Sequence, residues 1–144
     1  MRAPTQVPLP QADAVSEPFW KGCAEGRLLI QRCVTCGTFE SPPRLLCGNC
    51  RGNTFSWRES KGLGRVYTYT IVHHPGAPAL RDEVPYVVVV IQLDDCGGAL
   101  LISNVVGVDA SDVAVGRSVR LVWDDDSAVR LPRFELVKDQ ADRT

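Results

Sequence analysis

Four of the six cysteines stand in two close pairs, Cys33-x2-Cys36 and Cys47-x2-Cys50, with ten residues between the pairs. A Cys-x2-Cys segment closes a tight turn that aims two sulfurs at one point, and two such turns on neighbouring hairpins supply four thiolates in a tetrahedron. Gly37 after the first pair and Gly48 within the second offer backbone freedom for the turns, and Pro42 and Pro43 stiffen the segment between them. Four thiolates also suit iron or a redox disulfide. The spacing favours a structural zinc ion (Zn2+) held by Cys33, Cys36, Cys47 and Cys50, because a closed S4 set leaves no coordination position for a substrate water. Cys23 and Cys96 are left over and read as small buried apolar residues.

The rest of the chain carries short strands rather than long helices. Ten prolines and twelve glycines punctuate 144 residues. Ser16 stands as an N-cap for a short helix over 16–25 that Gly26 ends, with Phe19, Trp20 and Cys23 on one side. Residues 27–32 and 54–59 flank the cysteine pairs as strands, and 60–64 form a turn or hinge. Five strands then follow. In the first, 65–73, Val66, Thr68, Thr70 and Val72 alternate with Tyr67, Tyr69, Ile71 and His73. The second, 86–93, is so rich in β-branched residues that it reads as buried on both faces. A hairpin turn at 94–98 leads into 99–106, which the polar pair Ser103 and Asn104 interrupts. A connector over 107–116 holds one turn of helix at 110–113. The last two strands, 118–123 and 128–137, are separated by the acidic turn 124–126. Five short strands with a longer connection between the third and fourth fit a five-stranded OB-fold barrel.

The predicted organisation is therefore mainly β: an N-terminal arm and short helix over 1–26, a zinc ribbon over 27–61, the barrel over 62–137 and a tail over 138–144. Charge divides along the same lines. Residues up to Lys61 carry a net +3, residues 62–137 a net −4, and the last seven balance. The first ten residues have no apolar run of the kind a secretory signal needs, so the expected location is cytoplasmic and four cysteines read as ligands rather than disulfides. The longest apolar run, 86–91, is too short to span a bilayer.

Catalytic patterns are missing. His73 and His74 are adjacent on one strand and so point to opposite faces, and no nucleophile elbow, P-loop or dinucleotide fingerprint occurs. An OB barrel beside a zinc ribbon also suits single-stranded nucleic acid. Against that, the barrel is acidic, and strands 86–93 and 99–106 carry one aromatic residue between them, Tyr86. Phosphate repulsion and the lack of stacking rings argue for no nucleic-acid partner.

Longer strings carry a resemblance. Phe19-Trp20, Gly26-Arg27-Leu28, Gln31-Arg32-Cys33, Cys36-Gly37, Pro42-Pro43-Arg44, Cys47 and Cys50 recur in the domain of unknown function 35 family, as do Gly64-Arg65-Val66-Tyr67-Thr68-Tyr69-Thr70, Val84-Pro85-Tyr86 and Leu131-Pro132-Arg133-Phe134. The chain resembles that family over about residues 18–137. The resemblance implies a rubredoxin-like zinc ribbon joined to an OB fold, and a non-catalytic accessory subunit of a thiolase-like or lipid-transfer-protein-like enzyme acting on acyl-CoA. The client would be of the acyltransferase or steroid side-chain aldolase type, with a hot-dog-fold hydratase as an alternative, in a hetero-oligomer. Trp20, Arg44 and Tyr69 are the candidate contacts with that partner or its acyl-CoA. A stand-alone acyl-CoA-binding module and a nucleic-acid-binding OB protein are the competing readings.

Overall fold

The computed structural model describes residues 8–138; the first part of the expected arm (1–7) and most of the expected tail (139–144) lie outside the described residues. The fold is mainly β. One short helix, α1 (Glu17–Ala24), precedes a three-stranded sheet of β1 (Leu28–Cys33), β2 (Phe39–Glu40) and β3 (Phe55–Ser60), in the order β2-β1-β3. A five-stranded antiparallel sheet follows, made of β4 (Leu63–Val72), β5 (Tyr86–Leu93), β6 (Leu100–Ser103), β7 (Ser118–Asp124) and β8 (Leu131–Leu136) in the order β6-β5-β4-β7-β8. The segment after β6 then runs parallel to β8 through the Val105–Phe134 bridge, which partly closes the sheet into the OB-type barrel.

Helix α1 begins where the sequence places it and Ser16 holds the N-cap position, though its side chain makes no capping bond to the helix. Asp13 ties the turn that leads into it. Its carboxylate accepts from the amides of Val15 (3.1 Å) and Ser16 (2.7 Å), and its carbonyl accepts from Glu17. At the other end the Gly26 amide donates to the Cys23 carbonyl and the Arg27 amide to that of Gly22, the paired bonds of a Schellman termination.

The barrel core follows from β5. Val87, Val89, Ile91 and Leu93 alternate inward, each no more than 1% exposed, while the outward residues stay half-buried or exposed. The strand is thus fully buried on one face, not two, since Tyr86, Val88 and Val90 are only half-buried and Gln92 is exposed. On β4 the expected alternation fails midway. Val66 faces Ile91, but a bulge between Val66 and Thr68 brings Tyr69 opposite Val89 and Ile71 opposite Val87. Val66, Tyr69 and Ile71 therefore share the core-facing side, Tyr69 with 37% of its surface still exposed, and Thr68 and Thr70 turn to solvent.

Strand β4 starts at Leu63, so the expected hinge over 60–64 shrinks to Lys61 and Gly62. Two further contacts tie ribbon to barrel. Leu28 and Ile30 of β1 belong to the same buried cluster as Val66, Ile91 and Phe134. From the β5–β6 turn, the Asp95 carboxylate accepts from the Ser60 hydroxyl and the Lys61 amide, both at 2.7 Å. Burial tends to raise the Asp95 pKa, but these two donors outweigh it and hold the carboxyl below its ordinary 3.8. A depressed carboxyl stabilises the fold above its unfolded value and loses that contribution as pH falls through the lower folded value. Asp95→Asn is expected to cost about 1–2 kcal/mol at neutral pH. The gap to the parent should narrow below pH 3.8, as read by urea unfolding across a pH series. A gap that is flat with pH would mean the latch does not depend on the charge.

Candidate metal centre and adjoining groove

The ribbon brings its four cysteines together. Their Sγ atoms all lie within 4.8 Å of one another, with Cys33 to Cys50 and Cys36 to Cys47 both at 3.6 Å. A tetrahedron with Zn–S bonds of about 2.3 Å has S–S edges of about 3.8 Å, so the set is sized for zinc. Each knuckle is built alike. The amide of the residue just after the second cysteine is tied back to the carbonyl of the first, Gly37 to Cys33 and Arg51 to Cys47, both at 2.9 Å. Both residues hold left-handed backbone, Gly37 at φ 76° and Arg51 at φ 63°. The flexible position of the second knuckle is thus Arg51, not Gly48. Gly48 matters differently: its amide donates to Glu40 at 2.6 Å, fixing the knuckle to β2.

A left-handed non-glycine residue costs about 1–2 kcal/mol relative to an unstrained one. Arg51→Gly is therefore expected to raise ribbon stability by about 1 kcal/mol after the extra unfolded-state entropy of glycine is subtracted. Urea unfolding of the zinc-loaded protein measures it, and a loss of stability would show that the Arg51 side chain has a contact worth more than the strain.

The chemistry of the donor set also asks for a cation. Amides of Asn49 and Gly52 approach the Cys47 and Cys50 sulfurs at 3.4 Å. The Thr38 hydroxyl and amide draw the Cys36 thiol down to about 6. The Gly52 amide pulls on Cys50 too, yet Cys36, burial and the other sulfurs push that thiol up to about 12. As bare thiols the four compete for ionisation, and a dication lets all four ionise at once. With every ligand position filled, the zinc is structural.

Cys23 and Cys96 are both fully buried, and burial pushes each thiol up to about 11, so neither is an activated nucleophile. His73 and His74 are exposed beyond the end of β4. Among the described residues the four ribbon cysteines form the one group able to hold a metal.

The three candidate contacts separate. Trp20 packs edge-on against Phe19, ring centroids 4.9 Å apart, and lines a groove of about 560 Å³. Arg44 is drawn to Glu40, Nε to Oε2 at 3.3 Å, while the buried Gln31 side chain bonds both the amide and the carbonyl of Arg44. Tyr69 lies on β4, 37% exposed, outside the groove.

The groove itself was not foreseen from the sequence. Its walls come from α1, from Pro42 and Pro43 of the ribbon, from β6 and from the start of β8. Residues as far apart in the chain as Ser16 and Arg133 meet there, which no local pattern reveals. The polar pair Ser103 and Asn104, which seemed only to interrupt a strand, braces its floor. The Ser103 hydroxyl donates to the Pro132 carbonyl at 2.7 Å, the Asn104 amide donates to the Val87 carbonyl at 2.6 Å, and Arg133 donates to the Asn104 side chain.

Comparison with known proteins agrees with this geometry. Residues 20–56 match the family described as the ChsH2 rubredoxin-like zinc ribbon domain, and residues 57–124 match the ChsH2 C-terminal OB-fold domain. A DUF35 domain-containing scaffold protein of Methanocaldococcus jannaschii is 36% identical over 107 residues, 72% of this chain and 73% of that protein. A probable enoyl-CoA hydratase alpha subunit of Thermomonospora curvata is 38% identical over 120 residues, 81% of this chain. The chain spans only 36% of that relative's length. Among solved structures, a chain of the Ltp2-ChsH2(DUF35) aldolase superposes with a TM-score of 0.78 at 32% identity, covering 89% of this chain and 98% of that one. A DUF35 protein of unknown function from Sulfolobus solfataricus shares the fold, with a TM-score of 0.62 at 18% identity over 88% of this chain and 87% of its own.

Proposed function

The chain belongs to the DUF35 family of zinc-ribbon and OB-fold proteins, and from that premise we propose that it is a non-catalytic accessory subunit that binds and stabilises a thiolase-fold enzyme acting on acyl-CoA. The observation that carries the reading is the apolar groove shared by α1, the ribbon and the barrel, beside a metal centre whose ligands are all consumed. Such a patch is a binding surface rather than a reaction centre. The solved relative pairs a DUF35 chain with an aldolase in its very name, and the Methanocaldococcus relative is named a scaffold protein. The Thermomonospora relative, a probable enoyl-CoA hydratase subunit by name, supports a hydratase as the alternative client. Zinc would serve this role by holding Pro42 and Pro43 in place as one wall of the groove.

Co-expression with a thiolase-fold enzyme of the same host tests the proposal. The expected result is co-elution at fixed stoichiometry with a higher soluble yield and acyl-CoA turnover by the enzyme. Unchanged yield, unchanged turnover and separate elution would overturn it. Tight binding of an acyl-CoA by the chain alone, without any effect on the enzyme, would instead make it a stand-alone acyl-CoA module.

A further inference from the structure

The barrel is not fully zipped, and the reason is local. Between β5 and β6 the Leu93 amide donates to the Ala99 carbonyl, which fixes the phase of the ladder. Residues two apart on an antiparallel strand bond to the same side, so Leu101 and Ser103 turn their main-chain groups to β5. Leu100 and Ile102, opposite Gln92 and Val90, turn theirs away from it, towards the seam between β6 and β8. Across that seam β8 offers Pro132. The main chain of Phe134 already faces the seam, since its amide donates to the Asn104 carbonyl and its carbonyl accepts from Val106. By the same two-residue phase Pro132 faces it too, and proline has no N–H to give. Its carbonyl is taken by the Ser103 hydroxyl. The chain thus closes its barrel at Val105 and Phe134 and, among the described residues, leaves the edge of β6 open along Leu100 and Ile102.

An open apolar edge is ordinarily blunted by charge or covered. Here it is neither. Ile102 is 70% exposed and Leu100 37%, and both line the groove with Trp20 and Pro43. One charged side chain among the lining residues completes the site. Arg133 is 8% exposed; its Nε faces Asp124 at 3.4 Å and its Nη1 donates to Asn104, while its Nη2 is buried with no partner among the described residues. A buried guanidinium nitrogen without an acceptor is costly, so an occupant that brings one is favoured.

We infer that the groove receives an extended, apolar peptide segment of the partner enzyme, which adds as a strand to the free edge of β6. Its main chain bonds to Leu100 and Ile102, its apolar side chains lie over Trp20 and Pro43, and a carbonyl or carboxylate oxygen meets Arg133. Complementarity of charge and hydrogen bonding selects this occupant. A peptide carries acceptors and donors at every residue for both the open edge and the guanidinium, whereas the methylene run of an acyl chain carries none. The inference rests on the partnership proposed above and names the part of the partner that docks.

Ile102→Pro tests it, because the Ile102 amide points away from β5 and its loss spares the β5–β6 ladder. In the complex with the thiolase-fold enzyme, the Leu100 and Ile102 amides are expected to exchange with solvent at least about tenfold more slowly than in the free chain. Ile102→Pro should keep its zinc and unfolding midpoint yet weaken the complex by about tenfold. Ile102→Lys, which retains the amide but sets a charge on the edge, should weaken it as well. A complex that forms with both amides unprotected and with Ile102→Pro affinity unchanged would leave the partnership standing and overturn strand addition. Protection of the same amides in a homodimer of the free chain would overturn it in favour of a second copy. Binding of a long-chain acyl probe that Trp20→Ala abolishes, with no amide protected, would overturn it in favour of a lipid site. If no complex forms at all, the partner reading fails and this occupant fails with it.

Discussion

Replacing Cys47 with serine is expected to lower zinc below about half an equivalent per chain and to unfold the ribbon. Cys47 is 1% exposed and sits 3.6 Å from Cys36 in the sulfur set. A serine hydroxyl there does not ionise near neutral pH and cannot replace the thiolate. A structural zinc contributes on the order of 10–16 kcal/mol to the fold of a ribbon, as large as the whole net stability of about 5–15 kcal/mol of an ordinary domain. No single apolar contact in this chain approaches that. The damage should also spread, because Leu28 and Ile30 of β1 are buried in the same cluster as Val66 and Ile91 of the barrel. Losing the ribbon bares that end of the barrel core, so the barrel's own unfolding midpoint should fall. Cys23→Ser provides the contrast. Cys23 is fully buried but remote from the sulfur set, so its serine variant should lose about 1–3 kcal/mol and keep its zinc. Elemental analysis and thermal unfolding of the two variants decide the matter. A full equivalent of zinc in Cys47→Ser would remove the metal from the account of the fold.

Those cysteines were legible because metal ligation imposes a spacing that ordinary packing does not. The span of β5 was legible for a related reason: a run of β-branched residues bounded by a proline and a turn has few other uses. Where the sequence misled, two local solutions had equal claim. Val66-Tyr67-Thr68-Tyr69-Thr70 alternates equally well before and after a one-residue slip, and the bulge between Val66 and Thr68 is chosen by pairing with β5. Ser16 holds the N-cap position without a side-chain bond to the helix, because the turn before the helix is tied instead by the Asp13 carboxylate on the Val15 and Ser16 amides. Gly48 looks like the flexible residue of its knuckle, yet hydrogen bonding to Glu40 uses its lack of a side chain, and Arg51 bears the left-handed turn. The groove was out of reach altogether. It depends on Pro132 withholding an amide from a strand that is 29 residues away from its Ser103 contact, and a separation of that size leaves no periodic trace.

The second large effect belongs to Gly62→Ala, at the two-residue link between the ribbon and the barrel. Gly62 holds φ +74°, and a Cβ placed there would stand 2.3 Å from the Cβ of Leu121. A Cβ cannot rotate away, and the backbone on both sides is fixed: the Gly62 carbonyl accepts from Leu121 and its amide donates to the Ser60 hydroxyl at 3.0 Å. Left-handed strain of about 1–2 kcal/mol and overpacking of about 1–3 kcal/mol therefore fall on one residue, for a loss of about 2–5 kcal/mol. That is a fall of the order of 10 °C in Tm for a chain of this size. Gly76→Ala is the control, since nothing lies within 4 Å of the added methyl. It should be neutral or slightly stabilising, through the entropy it removes from the unfolded chain. A Gly62→Ala protein as stable as Gly76→Ala would mean the link can yield. The strain has a functional reading as well. One wall of the groove stands on the ribbon and the other on the barrel, so the link at Gly62 joins the shared core and the Asp95 contacts in positioning the two walls. A variant that survives by shifting Leu121 should therefore still lose affinity for the partner enzyme proposed above, and a variant that keeps full affinity would show that the two walls are positioned from elsewhere.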